Sequence, residues 1–143
     1  MKQRFRFLEH TADAYVEAYG NSLEEAFENA ALATTDVMTE VEKVEARSEE
    51  TFMVVARDEL ALLYNWLEEF LLEFELKGKL YSRFEVSAIE RASDGLRLHA
   101  KAWGETYDSK KHPSKVGIKS ATYHQMEILK KPESVIVRFI LDV

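Results

Sequence analysis

The chain has 143 residues, of which 46% are hydrophobic and 31% charged, with two prolines and no cysteine. Those proportions fit one folded domain over residues 1–143 and exclude a disordered polymer, a disulfide scaffold and any thiolate chemistry. A formal charge of -7 argues against direct binding to nucleic acid over a broad surface, because phosphates are repelled, and favours a basic protein groove or a cation as partner.

Residues 3–8 alternate, with Phe5 and Phe7 on one face, and residues 14–19 predict a second strand ended by Gly20-Asn21. Ser22 with Glu25 forms a capping box ahead of Leu23, Ala26, Phe27, Ala30, Ala31, Thr34 and Met38 at helical spacing, so a helix is predicted over about residues 23–38. Thr51 to Ala56 reads as a strand. Asp58 caps a second predicted helix, whose apolar set Leu60, Leu63, Tyr64, Leu67, Phe70, Leu71 and Phe74 recurs every three or four residues until Gly78 stops it. Residues 80–92 and 95–105 alternate on either side of Ser93-Asp94-Gly95, which predicts a hairpin with Leu96, Leu98, Ala100 and Ala102 facing inward. A last hairpin joins Ile118–Leu129 to Ser134–Asp142 through Lys130-Lys131-Pro132-Glu133. The expected fold class is α+β, a mostly antiparallel sheet with two amphipathic helices on one face.

The apolar run from Val135 to Leu141 ends in Asp142 and Val143, which sets a side-chain carboxylate beside the terminal carboxylate. Asp13 lies in the loop leaving the first strand, so two distant parts of the chain can meet as a cluster of hard oxygen donors suited to Ca²⁺ or Mg²⁺. His10, three residues earlier, is either a nitrogen ligand or a brace for the loop. The competing reading is a solvated loop aspartate and an ordinary C-terminus.

Tyr107 to Lys119 is a basic loop in an acidic protein, able to approach a phosphate or a nucleotide-bearing groove on a partner. For Lys110, Lys111 and Lys115 the competing reading is a flexible, solvated connection. Lys119, Thr122, Tyr123 and His124 lie at the start of a predicted strand, where side chains are held more rigidly; His99 and His124 read as ordinary strand residues. Glu68-Glu69 reads as a solvated helix face, and Trp66 and Trp103 as packing or contact residues. No nucleophile elbow, P-loop, dinucleotide fingerprint or zinc-protease helix is present. Glu68, Glu69 and Glu73 interrupt the longest apolar stretch, so no membrane span is expected. No apolar core follows the first basic residues, and a cytoplasmic location is expected.

Phe7-Leu8-Glu9-His10-Thr11-Ala12-Asp13, the Gly20-x-Ser22-Leu23-Glu24-Glu25-Ala26-Phe27 helix start and Leu62 to Leu71 together resemble the archease family. So do Gly104-Glu105, Val116 to His124 and the closing Ile140-Leu141-Asp142-Val143, an ordered set that covers nearly the whole chain. The resemblance implies a protein cofactor, not itself an enzyme, for an RtcB-type RNA ligase of tRNA splicing, promoting guanylylation of the ligase and its multiple turnover. It also implies a metal site on Asp13, Asp142 and the Val143 carboxylate, with His10 beside it. Calcium is the ion placed first, with magnesium or manganese as alternatives. Lys119 and Tyr123 become candidates for contact with the partner or its nucleotide. Two other readings stay beside it: a metal-dependent hydrolase of a small phosphorylated substrate, and a general chaperone of RNA-processing proteins.

Overall fold

Two capped helices separate the strands. The Ser22 hydroxyl accepts the Glu25 N–H at 3.1 Å, and the Glu25 carboxylate reaches back to the Asn21 N–H at 2.6 Å, one residue earlier than an ideal capping box. This starts α1, Leu23–Met38. The Asp58 carboxylate accepts the Ala61 N–H at 2.9 Å and starts α2, Glu59–Lys77, which Gly78 ends in the left-handed region at φ 65°. The computed structural model describes residues 3–9 and 13–143, and its remaining elements are β1 (Phe5–Leu8), β2 (Ala14–Gly20), a 3₁₀ turn (Val41–Lys43), β3 (Ser48–Ala56), β4 (Lys79–Ala92), β5 (Gly95–Thr106), β6 (Ser120–Lys131) and β7 (Ser134–Asp142).

The α+β class and the antiparallel pairing stand, and the strands divide into two sheets, ordered β1-β2-β7-β6 and β3-β5-β4. Both helices pack on strands of both sheets, so a single core runs between them. That shared burial explains why α1 is covered on more than one stripe, with Leu32, Ala33, Thr35 and Val37 buried beside the predicted set. On α2 the buried face is rotated from the expected one: Leu62 and Trp66 are fully buried, whereas Leu60 is 40% exposed. Trp66 donates its indole N–H to the Phe27 carbonyl at 2.8 Å and packs edge-on against Phe70 and Phe84, so it is a packing residue that ties the helices together. The Thr35 hydroxyl similarly reaches the Tyr81 carbonyl at 2.8 Å, locking α1 to β4.

Trp103 lies on the other face of the three-stranded sheet under the Arg83 guanidinium, 4.3 Å from the ring centroid. Its neighbour Gly104 is required by proximity: a Cβ there would sit 1.8 Å from the Leu80 carbonyl oxygen, where β4 and β5 approach at a bulge after Tyr81.

The outer face of the four-stranded sheet carries a row of alternating charge. Arg6, Glu17, Arg138 and Glu127 occupy successive cross-strand positions on β1, β2, β7 and β6. Glu17 is buried and accepts from Arg6, Arg138 and the Tyr19 hydroxyl. Burial pushes its carboxyl up, but the bonds from Tyr19, Arg138 and Arg6 outweigh that and hold it at about 2.

Two outcomes are expected. Gly104→Ala lowers the free energy of unfolding in urea by about 3 kcal/mol, because the new methyl group meets backbone that cannot move aside. Glu17, held below the ordinary carboxyl value of 4.5 in the folded state, contributes stability that is complete above about pH 4.5 and lost as pH falls towards 2. Glu17→Gln is therefore about 2 kcal/mol less stable at pH 7 and has a flatter stability profile across that acid window, measured from urea midpoints at several pH values.

Candidate functional site at the acid end of the four-stranded sheet

The register of β2 on β7 pairs Ala14 with Leu141. Continued by one residue, it sets Asp13 opposite Asp142, on the outer face of the sheet because Leu141 points into the core. The two aspartates line one open depression of about 480 Å³ with Tyr64, Ser120, Thr122, Tyr123 and His124. Val143, half-buried, follows Asp142 directly. His10 lies outside the described residues, so its expected place beside the site has no structural counterpart here. Among the described residues no three His, Cys, Asp or Glu side chains gather as a metal cluster. The depression instead offers two carboxylates and the hydroxyls of Ser120 and Thr122, a hard oxygen donor set that fits Ca²⁺ or Mg²⁺ better than a softer ion.

The other wall is made by an interruption in β6. Thr122 pairs with Ile140, but the next pair is Glu127 with Arg138, so residues 123–126 bulge from the ladder. Met126 turns back into the core, and Gln125 adopts a left-handed φ of 56° at the bend. Tyr123, 54% exposed, stacks flat on Tyr64 of α2 at 4.5 Å and 8°. His124 is thus no ordinary strand residue; it stands in the bulge and lines the acid depression. His99 does occupy a regular strand, bonded to Glu90 at 2.9 Å. Glu68 corrects a further expectation, since it is not a solvated helix carboxylate: it accepts the Ala121 N–H at 2.8 Å and fixes the start of β6.

The loop at 107–119 is tethered, contrary to the flexible reading of its lysines. Lys111 reaches Glu45 at 2.6 Å and Glu105 at 2.7 Å. Lys115 bonds the Asp36 carbonyl through its ammonium and the Met38 carbonyl through its own N–H, whereas Lys110 is exposed. The physical reason is a residue that sequence reasoning passed over: His112, 1% exposed, accepts the Asp108 N–H on Nδ1 at 2.9 Å and bonds Glu105 through Nε2 at 2.8 Å. Burial pushes the Glu105 carboxyl up, yet Lys111, the Glu45 N–H and His112 together hold it at about 2. At the far end of the loop, the Lys119 N–H bonds the Asp142 carbonyl at 2.7 Å. Lys119 lines a neighbouring apolar groove with Leu71, Phe74, Val116 and Ile118, while Tyr123 lines the depression that holds the aspartates. No helix among the described residues is long and apolar enough to cross a membrane.

Comparison with known proteins agrees with this architecture. The family model described as Archease protein family (MTH1598/TM1083) matches residues 5–143. Protein archease of Sulfurisphaera tokodaii is 41% identical over 141 residues, 99% of each chain. The solution structure of Methanobacterium thermoautotrophicum protein 1598 has a TM-score of 0.84 at 42% identity, covering 97% of this chain and 98% of that one. A Thermotoga maritima crystal structure described as an archease, possible chaperone, has a TM-score of 0.58 at 20% identity, covering 100% of this chain and 98% of that one, and so bears on the fold alone. With the family model spanning nearly its full length and relatives of this similarity, the chain belongs to the archease family.

Proposed function

We propose that the protein activates an RtcB-type RNA ligase of tRNA splicing, promoting guanylylation of the ligase and its repeated turnover without ligating RNA itself. Family membership supports the reading, and the juxtaposition of Asp13 and Asp142 in one depression carries it. A ligase that handles RNA and a nucleoside triphosphate needs a basic cleft, and a chain with net charge -7 is drawn to such a cleft by complementary potential. Asp13 and Asp142, with the Val143 carboxylate as third donor, would hold a divalent ion, calcium first and magnesium or manganese as alternatives. When bound, that ion supplies positive charge that favours a transferring phosphoryl group. Around it Tyr64, Tyr123 and the bulge of β6 form the contact wall, and Lys119 borders it through the bond of its N–H to Asp142.

The decisive measurement is formation of the ligase–GMP adduct and multiple-turnover ligation with purified ligase, GTP and a divalent ion. The wild-type protein raises both, and Asp13→Ala and Asp142→Ala each reduce the effect at least about tenfold, a barrier change of about 1.4 kcal/mol, with melting temperature and circular dichroism retained. Unchanged activation by both folded variants, or hydrolysis of a phosphorylated small molecule by the protein alone, would sink the activator reading. Ion binding is tested separately: saturating Ca²⁺ at about one hundred times its Kd stabilises the fold by about 2.7 kcal/mol, and Asp13→Asn abolishes the rise in melting temperature.

A further inference from the structure

Glu105 is nine-tenths buried at the end of β5 and gathers three donors from two segments: the Glu45 N–H at 3.0 Å, and Lys111 Nζ at 2.7 Å with His112 Nε2 at 2.8 Å. Arg47 stands 3.6 Å away, and Lys111 and Arg47 both continue to Glu45. His112 is the most enclosed member. Its Nδ1 accepts a main-chain N–H, which leaves the proton on Nε2 to be donated to Glu105. A buried imidazole with both nitrogens satisfied specifies one loop conformation, whereas an apolar side chain of similar size would fill the space without fixing direction.

The cluster lies away from the aspartates but shares a segment with them. From His112 the chain runs through the Tyr107–Ser114 hydroxyl bond at 2.9 Å and the Lys115 N–H bond to Met38 at 3.0 Å to the Lys119 N–H on the Asp142 carbonyl. It leaves Val116 43% exposed and Lys119 exposed on the rim of a groove. We propose that His112 is the positioning residue of the 107–119 arm: clamped on Glu105, it presets the segment from Val116 to Lys119 for contact with the protein partner beside the acid depression. The functional half of this inference rests on the activator reading, and the structural half does not. Preorganisation of this kind lowers the ordering cost of association, so its loss is felt as weaker docking.

Hydrogen exchange and activation together test it on the full chain. In His112→Ala the hydrogen-bonded amides of the arm, Lys115 and Lys119, exchange at least about tenfold faster, equivalent to about 1.4 kcal/mol of lost local protection, while β2 and β7 keep theirs and Ca²⁺ still raises the melting temperature. Exchange that rises uniformly over the domain, or not at all in the arm, overturns the proposal. In the ligase assay His112→Ala raises the half-activating concentration and leaves the maximal rate unchanged. The same substitution added to Lys119→Ala costs less than it does alone, because both act through one arm; strictly additive effects overturn the proposal. Should His112→Ala fail to fold, Glu105→Gln opens the same clamp from its other side and is read in the same way. A wild-type protein that activates no ligase defeats the activator reading, and the exchange result still decides whether the clamp holds the arm.

Discussion

The pairing of β2 with β7 is the constraint on which the rest of the molecule depends. Seven consecutive cross-strand pairs join residues 14–20 to residues 135–141, the two ends of the described domain. Closing so long a stretch of chain is entropically costly, and the ladder is held by a buried inner face of Val16, Ala18, Val137 and Phe139 together with the Glu17–Arg138 pair on the outer one. Since side chains alternate along a strand, a one-residue slip would send Glu17 into the core and turn Asp13 and Asp142 to opposite faces. The same register therefore sets the packing of the sheet and the chemistry at its end.

Two sheets that do not pair with one another need something to close their facing edges, and the helices do it with side chains as well as with apolar packing. Glu28 of α1 accepts the Val86 N–H on edge strand β4 at 2.8 Å, and Glu68 of α2 does the same for Ala121 on edge strand β6. Asn65 donates to the Val55 carbonyl on β3, the third of these edges, at 3.0 Å. Each bond occupies a main-chain group that an edge strand otherwise leaves open, so the helices serve both as core and as edge covers.

What was legible in the sequence follows from range. Helix starts at Ser22 and Asp58, the stop at Gly78 and the hairpins at Ser93-Asp94 and Pro132-Glu133 are set by neighbours a few residues apart, and they lie within a few residues of where periodicity put them. The approach of Asp13 to Asp142 was open in the sequence beside a solvated reading of both acids, because nothing local fixes the register of β2 on β7. The division into two sheets, the rotation of α2 that buries Trp66 and exposes Leu60, and the roles of Glu68, Tyr64 and His112 were not legible. Each depends on a partner far along the chain, such as Ala121 for Glu68, and the Glu or His alone carries no mark of it. Glu105, the anchor of the loop, stood in the sequence only as part of the Gly104-Glu105 pair that resembles the family.

The bulge in β6 also restricts the manner of recognition at this end of the molecule. A strand arriving at that margin would find regular spacing of N–H and carbonyl groups broken after Thr122 and the Ala121 N–H already taken by Glu68. Extension of the sheet by a foreign segment, the commonest way for an open margin to capture another polypeptide, is thereby blocked where the aspartates lie. A visitor here has to be read through rings, carboxylates and hydroxyls, which lets the protein keep a sticky-looking border without polymerising along it.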